Sequence, residues 1–188
     1  MIAGVVLAAG GSSRLGSPKQ LVQVKGRTLL GHAVDCCLSG GCEPVLVVLG
    51  ASLETIEPTL SGLPVTVVVH SGWREGLASS IRAGISALPE EVEALVLATC
   101  DQPLLEPGVV RRLIAGFDGA PGRMLACEYE GTVGVPALFG RDRFEELIRL
   151  RGDSGARQLL RRNPGSVVRV PWPGGAFDVD LPADREKI

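Results

Sequence analysis

The sequence is short of lysine, of histidine and of long apolar runs. Only Lys19, Lys25 and Lys187 stand among its 19 basic side chains, so a lysine inside a glycine-rich stretch is conspicuous. With two histidines, His32 and His70, and no Ser/His/Asp arrangement, nucleophilic catalysis by the protein itself has little support. His32 falls inside an amphipathic helical pattern and reads as structural. No apolar run nears the roughly 20 residues of a membrane-spanning helix. The opening residues, Met1 to Ala9, have no basic segment before their apolar run and read as a first strand rather than an export signal. Neither charge dominates: a net charge of -2 argues against a nucleic-acid partner or an anionic membrane surface. The five cysteines are odd in number, include the neighbours Cys36 and Cys37, and form no C-x-x-C pair. That argues against a disulfide framework and a zinc site and leads us to expect reduced thiols and a cytoplasmic location.

What is present is a globular composition. Hydrophobic residues make up 45% of the chain and charged ones 21%, which rules out intrinsic disorder. A chain of 188 residues makes a single domain. At this size roughly 70% of the unfolded surface is buried without help from disulfides or structural metal. Ile2 to Leu7, Val45 to Leu49, Val65 to Val69 and Leu95 to Ala98 are nearly all apolar, as strands buried on both faces are. Helical spacing lies between and after them, over Leu29 to Leu38, Leu53 to Leu60, Leu77 to Leu88 and Val109 to Phe117. Thr28 is placed as an N-cap, and Gly40-Gly41 ends the first helix. This rhythm predicts an α/β fold with right-handed crossovers. After Gly119 the pattern changes to a hairpin turning at Glu130-Gly131, two helical segments over Arg141 to Leu150 and Ser154 to Arg162, and a strand at Val167 to Val170. The change divides a first half, 1–119, from a second, 120–188, within one domain.

The most informative stretch follows the first strand: Leu7-Ala8-Ala9-Gly10-Gly11-Ser12-Ser13-Arg14-Leu15-Gly16-Ser17-Pro18-Lys19-Gln20. Gly10, Gly11 and Gly16 let the backbone turn tightly and bring N–H groups close to an anion, while Arg14 and Lys19 add positive charge. Connections of this kind usually run about two to six residues, and this one is far longer. It is not a P-loop: Gly11 to Gly16 has that spacing, but Ser17 stands where the lysine belongs and Pro18 where Ser or Thr belongs. The dinucleotide pattern G-x-G-x-x-G is also absent.

These residues resemble the signature of the MobA-like nucleotidyltransferases, and within them the molybdenum cofactor cytidylyltransferase branch. The resemblance spans essentially the whole chain. It implies a Rossmann-like, glycosyltransferase-A-type fold: a mostly parallel sheet flanked by helices, with a small C-terminal hairpin region. It implies that residues 1–119 bind the nucleotide, 120–188 the acceptor, and that Leu7, Ala8, Ala9, Gly10 and Gly11 wrap a nucleoside triphosphate. Arg14 and Lys19 would neutralise its phosphates as pyrophosphate leaves. Thr99-Cys100-Asp101-Gln102-Pro103 matches the family's Asp-x-Pro element. A carboxylate beside a triphosphate repels it unless a cation lies between, so Asp101 is the expected ligand of Mg2+, or of Mn2+ in its place. An Asx turn or helix cap before Pro103 is the structural alternative. Phe177-Asp178-Val179-Asp180 matches the family's C-terminal Asp-x-Asp, and the resemblance makes Asp180 the second metal ligand, against a solvated acidic tail.

Gly76-Leu77-Ala78-Ser79-Ser80 resembles the family's Gly-x-x-Ser-Ser turn, whose glycine and serines contact the nucleobase. Here Gly76, Ser79 and Ser80 would do so, an ordinary helix cap being the alternative. Gly134-Val135-Pro136 and Gly152 to Arg157 resemble the elements that face the acceptor, with Arg157 a candidate for its phosphate. The branch resemblance implies CTP as donor and a molybdopterin-type phosphate as acceptor, with a recipient molybdoenzyme or its chaperone as destination. A sugar-1-phosphate nucleotidyltransferase, a DxD glycosyltransferase and a non-catalytic carrier of a nucleotide-containing cofactor are the rival readings.

Overall fold

The computed structural model describes residues 1–24 and 26–187. It opens with β1 (Ile2–Ala8), buried from its second residue on. After a long loop, β2 (Gln23–Val24) and β3 (Arg27–Thr28) form a short antiparallel pair. Strands of two residues carry no periodicity, so the sequence pattern does not announce them. Next comes α1 (Leu29–Gly40), which starts where the Thr28 hydroxyl accepts the Gly31 N–H at 3.0 Å and ends at Gly41 in the left-handed conformation. The chain continues through β4 (Val45–Leu49), α2 (Leu53–Ile56), β5 (Thr66–Val69), α3 (Leu77–Ser86), β6 (Ala94–Thr99) and α4 (Pro107–Ala115). The helix expected over Leu53 to Leu60 tightens to a 3-10 turn from Glu57, because Pro58 has no N–H to give the α ladder.

Beyond Gly119, β7 (Met124–Tyr129) and β8 (Thr132–Gly140) form the expected hairpin. Glu130 and Gly131 turn it with φ of 49° and 70°, the two-residue geometry that matches strand twist. Then follow α5 (Phe144–Ile148), α6 (Ala156–Arg162) and β9 (Val167–Pro171). Both helices are shorter than their spacing suggests. Arg141–Arg143 winds as a 3-10 turn before α5, and α6 begins only after Gly155.

All the longer strands join one seven-stranded sheet in the order β5-β4-β1-β6-β8-β7-β9. β1 is parallel to β4 and β6, β4 to β5, and β7 to β9, while β8 runs antiparallel to β6 and β7. The change of pattern near Gly119 is therefore not a break in the sheet, since β8 hydrogen-bonds directly to β6.

Helices cover both faces, which is why the strands read as unbroken apolar runs. Alternate residues of β1 serve opposite faces. Val6 and Ala8 pack with Val34 of α1 and Leu113 of α4. Val5 and Leu7 pack with Ile81 of α3 and Leu159 of α6. From β1 the chain builds outward through β4 and β5, then returns to β6 on the other side of β1. At such a reversal the carboxyl ends of the strands open a crevice. A small third cluster, Leu15, Val24, Leu29 and Val179, fastens the long loop, the β2–β3 pair and the C-terminal segment beside that crevice.

Candidate active site

The long loop is folded on its own terms before any ligand arrives. Gln20 is only 1% exposed, and its amide donates to the Ala8 carbonyl at 2.7 Å and the Gly10 carbonyl at 3.0 Å. The Ser12 hydroxyl accepts the Lys19 N–H at 3.0 Å, and the Ala9 carbonyl accepts the Ala51 N–H at 3.0 Å. Among the described residues, the N–H groups of Gly10 and Gly11 donate to nothing in the protein and stay open toward solvent. Exposed loop amides without a partner in the protein suit an anion. Gln20→Ala removes one buried and one part-buried bond, to the Ala8 and Gly10 carbonyls. We expect it to lower stability by about 1–3 kcal/mol and to weaken triphosphate binding, as denaturant unfolding and calorimetry would read.

Four charged side chains from three distant segments meet beside this loop. Asp101 follows β6 by two residues. Lys19 Nζ donates to Asp101 Oδ2 at 2.8 Å and to Asp180 Oδ1 at 2.8 Å. Arg14 donates to the other oxygen of Asp180 at 3.1 Å. The tail is fixed there by its backbone. The Val179 N–H donates to the Asp101 carbonyl at 2.9 Å, and the Asp184 carboxylate accepts the N–H of Asp180 at 3.1 Å and of Leu181 at 2.8 Å. The two cations differ in weight. The Lys19 side chain is 17% exposed and poorly screened, whereas that of Arg14 is 70% exposed, so its pair adds little to stability.

Burial opposes the Lys19 charge, but Asp101 and Asp180 outweigh it and hold the ammonium's pKa above its usual value. The hydrogen bond from Lys19, more than the nearby charges, keeps Asp180 below the usual carboxylate range. Asp178 is pushed up to about 6, first by partial desolvation and then by the like charges of Asp101 and Asp180. It still reaches solvent, which moderates that rise. The thiol of Cys100, a buried residue at the edge of the cavity, is pushed up to about 12 by desolvation, which disfavours the thiolate.

A cavity of about 560 Å³ opens between the loop and the start of α3. Leu7, Ala8, Ala9, Gly10, Lys19 and Asp101 line it on one side, and Gly76 and Ser80 on the other. Gly11 lies under Trp73, whose ring would be 3.1 Å from a Cβ at that position. Ser79 turns inward: its hydroxyl donates to the Gly76 carbonyl at 2.7 Å and sits 2.8 Å from His70 Nε2. Of the two serines, only Ser80 is part of the lining. Sequence reasoning gave no role to Gln20, Trp73 or Arg74 and set Asp153 among the acceptor-facing residues, yet all four line this cavity. Trp73 and Arg74 adjoin the Gly-x-x-Ser-Ser match, and the guanidinium of Arg74 lies 4.4 Å over the Trp73 ring.

A smaller, mainly aliphatic cavity of about 230 Å³ shares Leu7, Leu77 and Thr99 with the first and reaches Val135 and Arg157. Arg157 donates to the Tyr129 hydroxyl at 3.1 Å, and that hydroxyl donates to the Val135 carbonyl at 3.2 Å. The same carbonyl accepts the amide of buried Gln102 at 3.2 Å. His32 Nε2 lies 2.8 Å from the Leu105 carbonyl, the structural place expected of it.

Two carboxylates aimed at one point need a cation there, and the Lys19 ammonium stands at that point. Asp101 and Asp180 are hard oxygen donors from separate segments, with the cavity beside Asp101 to admit further oxygens. That donor set suits Mg2+ or Mn2+, which use one or two carboxylates and complete their shell with phosphate and water. Among the described residues, no three His, Cys, Asp or Glu side chains cluster as a closed metal cage, and no helix is long and apolar enough to cross a membrane.

The mostly parallel, helix-flanked sheet with its cleft at the carboxyl edge is the Rossmann-like layout of nucleotidyltransferases, as the sequence led us to expect. The family model of the MobA-like NTP transferase domain matches residues 4–167. The chain belongs to this family. It is 35% identical over 176 residues to nicotine blue oxidoreductase of Paenarthrobacter nicotinovorans, covering 88% of this chain and 84% of that protein. It is 29% identical to the purine catabolism protein PucB of Bacillus subtilis, covering 98% and 94% of the two chains. Among solved structures, Rv0371c of Mycobacterium tuberculosis H37Rv superposes with a TM-score of 0.86 at 33% identity, over 99% of this chain and 95% of that one. A manganese complex of Rv0371c superposes at 0.82 and 30% identity, over 99% and 96%.

Proposed function

We propose that the protein transfers a nucleoside monophosphate, CMP from CTP, to the terminal phosphate of a molybdopterin-type acceptor and releases pyrophosphate. One observation carries the transfer chemistry: Lys19 is clasped between Asp101 and Asp180 directly below a loop with open amides. The amides of Gly10 and Gly11, with Lys19 and Arg14, bind and neutralise the triphosphate. Asp101 and Asp180 would hold Mg2+ or Mn2+, which supplies charge neutralisation at the phosphates. An acceptor phosphate oxygen attacks the α-phosphorus. Its second pKa is about 6, so it is ionised at neutral pH and needs no strong base. The protein's own part is positioning and electrostatic stabilisation.

In this reading residues 1–119 hold the nucleotide, with Gly76 and Ser80 at the base and Ser79 shaping their turn, and residues 120–188 hold the acceptor. Arg157, braced by Tyr129 at the mouth of the smaller cavity, faces the acceptor's phosphate. The dinucleotide product then passes to a recipient molybdoenzyme or its chaperone. CTP is favoured on the branch resemblance, under which the methyl of Ala9, a buried residue lining the cavity, would narrow the base pocket. A methyl-sized clash excludes a purine by about 1–3 kcal/mol, or roughly 10- to 200-fold in kcat/KM. We therefore expect CTP to exceed GTP by that factor, and Ala9→Gly to narrow the gap.

A pyrophosphate-release screen crossing the four common triphosphates with molybdopterin and sugar phosphates tests the assignment. A GTP preference would overturn the branch and keep the chemistry, and turnover with a sugar phosphate alone would move the acceptor. The relative named nicotine blue oxidoreductase favours a second reading, oxidoreduction of a substrate in the same cleft. That reading expects no pyrophosphate from any combination.

A further inference from the structure

Lys19 stands where the reading above puts a divalent ion. Its Nζ is 2.8 Å from Asp101 Oδ2 and 2.8 Å from Asp180 Oδ1, and Arg14 holds the second Asp180 oxygen at 3.1 Å. The two side chains that the loop supplies to phosphates are thus engaged by the carboxylates that would hold the metal. One ammonium cannot serve both. A divalent ion bound by the same two oxygens would sit within a few ångströms of Nζ, where two cations repel strongly in a poorly screened site.

We propose that Lys19 is a built-in counter-ion that competes with the divalent cation for Asp101 and Asp180, so that the ion is admitted only when a triphosphate draws Lys19 away. This rests on the nucleotidyltransferase reading. The local construction suits an exchange of this kind. The Lys19 backbone is fixed through its N–H to Ser12 Oγ at 3.0 Å. Its flexible four-carbon stem lets the charge move without the loop moving. The open amides of Gly10 and Gly11 lie on the same loop, and phosphates gathered there offer the ammonium a denser negative charge than two carboxylates. In the free protein Lys19 keeps the two carboxylates neutralised and together. With nucleotide bound, it frees them as a pair. Metal then enters after the nucleotide or as its complex.

Manganese binding to nucleotide-free protein, read by electron paramagnetic resonance and calorimetry, tests this without turnover. Lys19→Met and Lys19→Gln are expected to bind Mn2+ at least about tenfold more tightly than the unaltered protein, the factor one charge-assisted hydrogen bond is worth. Lys19→Arg keeps the charge and stays as weak as the parent. Arg14→Met changes affinity by no more than about threefold, because an exposed pair is screened. A non-hydrolysable CTP analogue raises manganese uptake by the unaltered protein above what the analogue binds alone. Lys19→Met leaves two carboxylates facing each other. Should it fail to fold, Lys19→Gln, which keeps a donor there, decides the matter. Equal manganese affinity in the parent and the folded neutral variants would overturn the competition and leave the metal site standing. Absence of manganese from every variant, with or without the analogue, would remove the site itself and the competition with it.

Discussion

Exchange of Asp101 for asparagine lowers turnover by at least about a thousandfold, and Lys19→Ala lowers it by at least about a hundredfold, with the fold intact in both. Magnitudes of this order, about 3–4 kcal/mol, are what loss of one preorganised charge at a reacting phosphate produces. The Asp101 side chain makes one ion pair, to Lys19, while its backbone carbonyl receives Val179. Asparagine keeps the shape and that backbone bond and removes only the charge. Lys19 keeps Asp180 as a partner in that variant, so the site does not collapse. In Lys19→Ala the carboxylates are freed for metal, yet the leaving pyrophosphate loses its ammonium and turnover falls regardless. Initial rates of pyrophosphate release, paired with thermal melting of each variant, separate chemistry from unfolding. Parental turnover in either folded variant would remove that residue from the mechanism.

Gly76→Ala is expected to destabilise the protein by about 2–5 kcal/mol and to raise KM for the triphosphate. Gly76 has φ of 103°, and a Cβ there would lie 2.5 Å from both the carbonyl carbon and the oxygen of Gly152 and 2.7 Å from Asp153 Oδ1. The obstacle is mostly backbone, which cannot swing aside as a side chain does. That backbone is also fixed, because the Gly152 carbonyl accepts the Ala78 N–H at 3.0 Å. Alanine therefore prises α3 from the segment before α6, at one of the places where the two halves of the chain touch. Gly76 and Asp153 both line the larger cavity, so binding suffers with stability. Gly108→Ala is the control. It lies in α4 with open space around it and no unusual φ, so alanine there is neutral or slightly stabilising. Equal melting temperatures for Gly76→Ala and the parent would contradict the packing described.

The strands and their order of appearance were legible because burial on both faces leaves a mark that periodicity cannot hide: Val45 to Leu49 is apolar throughout and buried throughout. The hairpin was legible from Glu130-Gly131, which can turn in only a few ways. The strand order was not, because nothing in β8 itself says that it pairs with β6 rather than with β9. At the site, Arg14, Lys19, Asp101 and Asp180 could be named one by one from motifs. Their meeting, across separations of 82 to 166 residues, is a product of the sheet that sets loop, strand end and tail at one edge. Ser79 and Ser80 show the limit of a motif: the same turn aims one hydroxyl inward at Gly76 and His70 and leaves the other at the cavity. Gln20 sat in plain view beside Lys19, but polar residues in loops are usually solvated, and only the fold reveals that its amide is a buried strut. Asp153 reaches the cavity from the second half of the chain, a proximity that no local pattern encodes.

The proposed function stands on transfer of a nucleotide's α-phosphorus at the Lys19–Asp101–Asp180 site. The most direct measurement follows α-phosphorus-labelled CTP with molybdopterin and Mg2+. Label is expected in the acceptor in proportion to the pyrophosphate released, and chelator or Asp101→Asn stops both together. Folded, triphosphate-binding protein that transfers no label from any of the four triphosphates to any phosphate acceptor would contradict it.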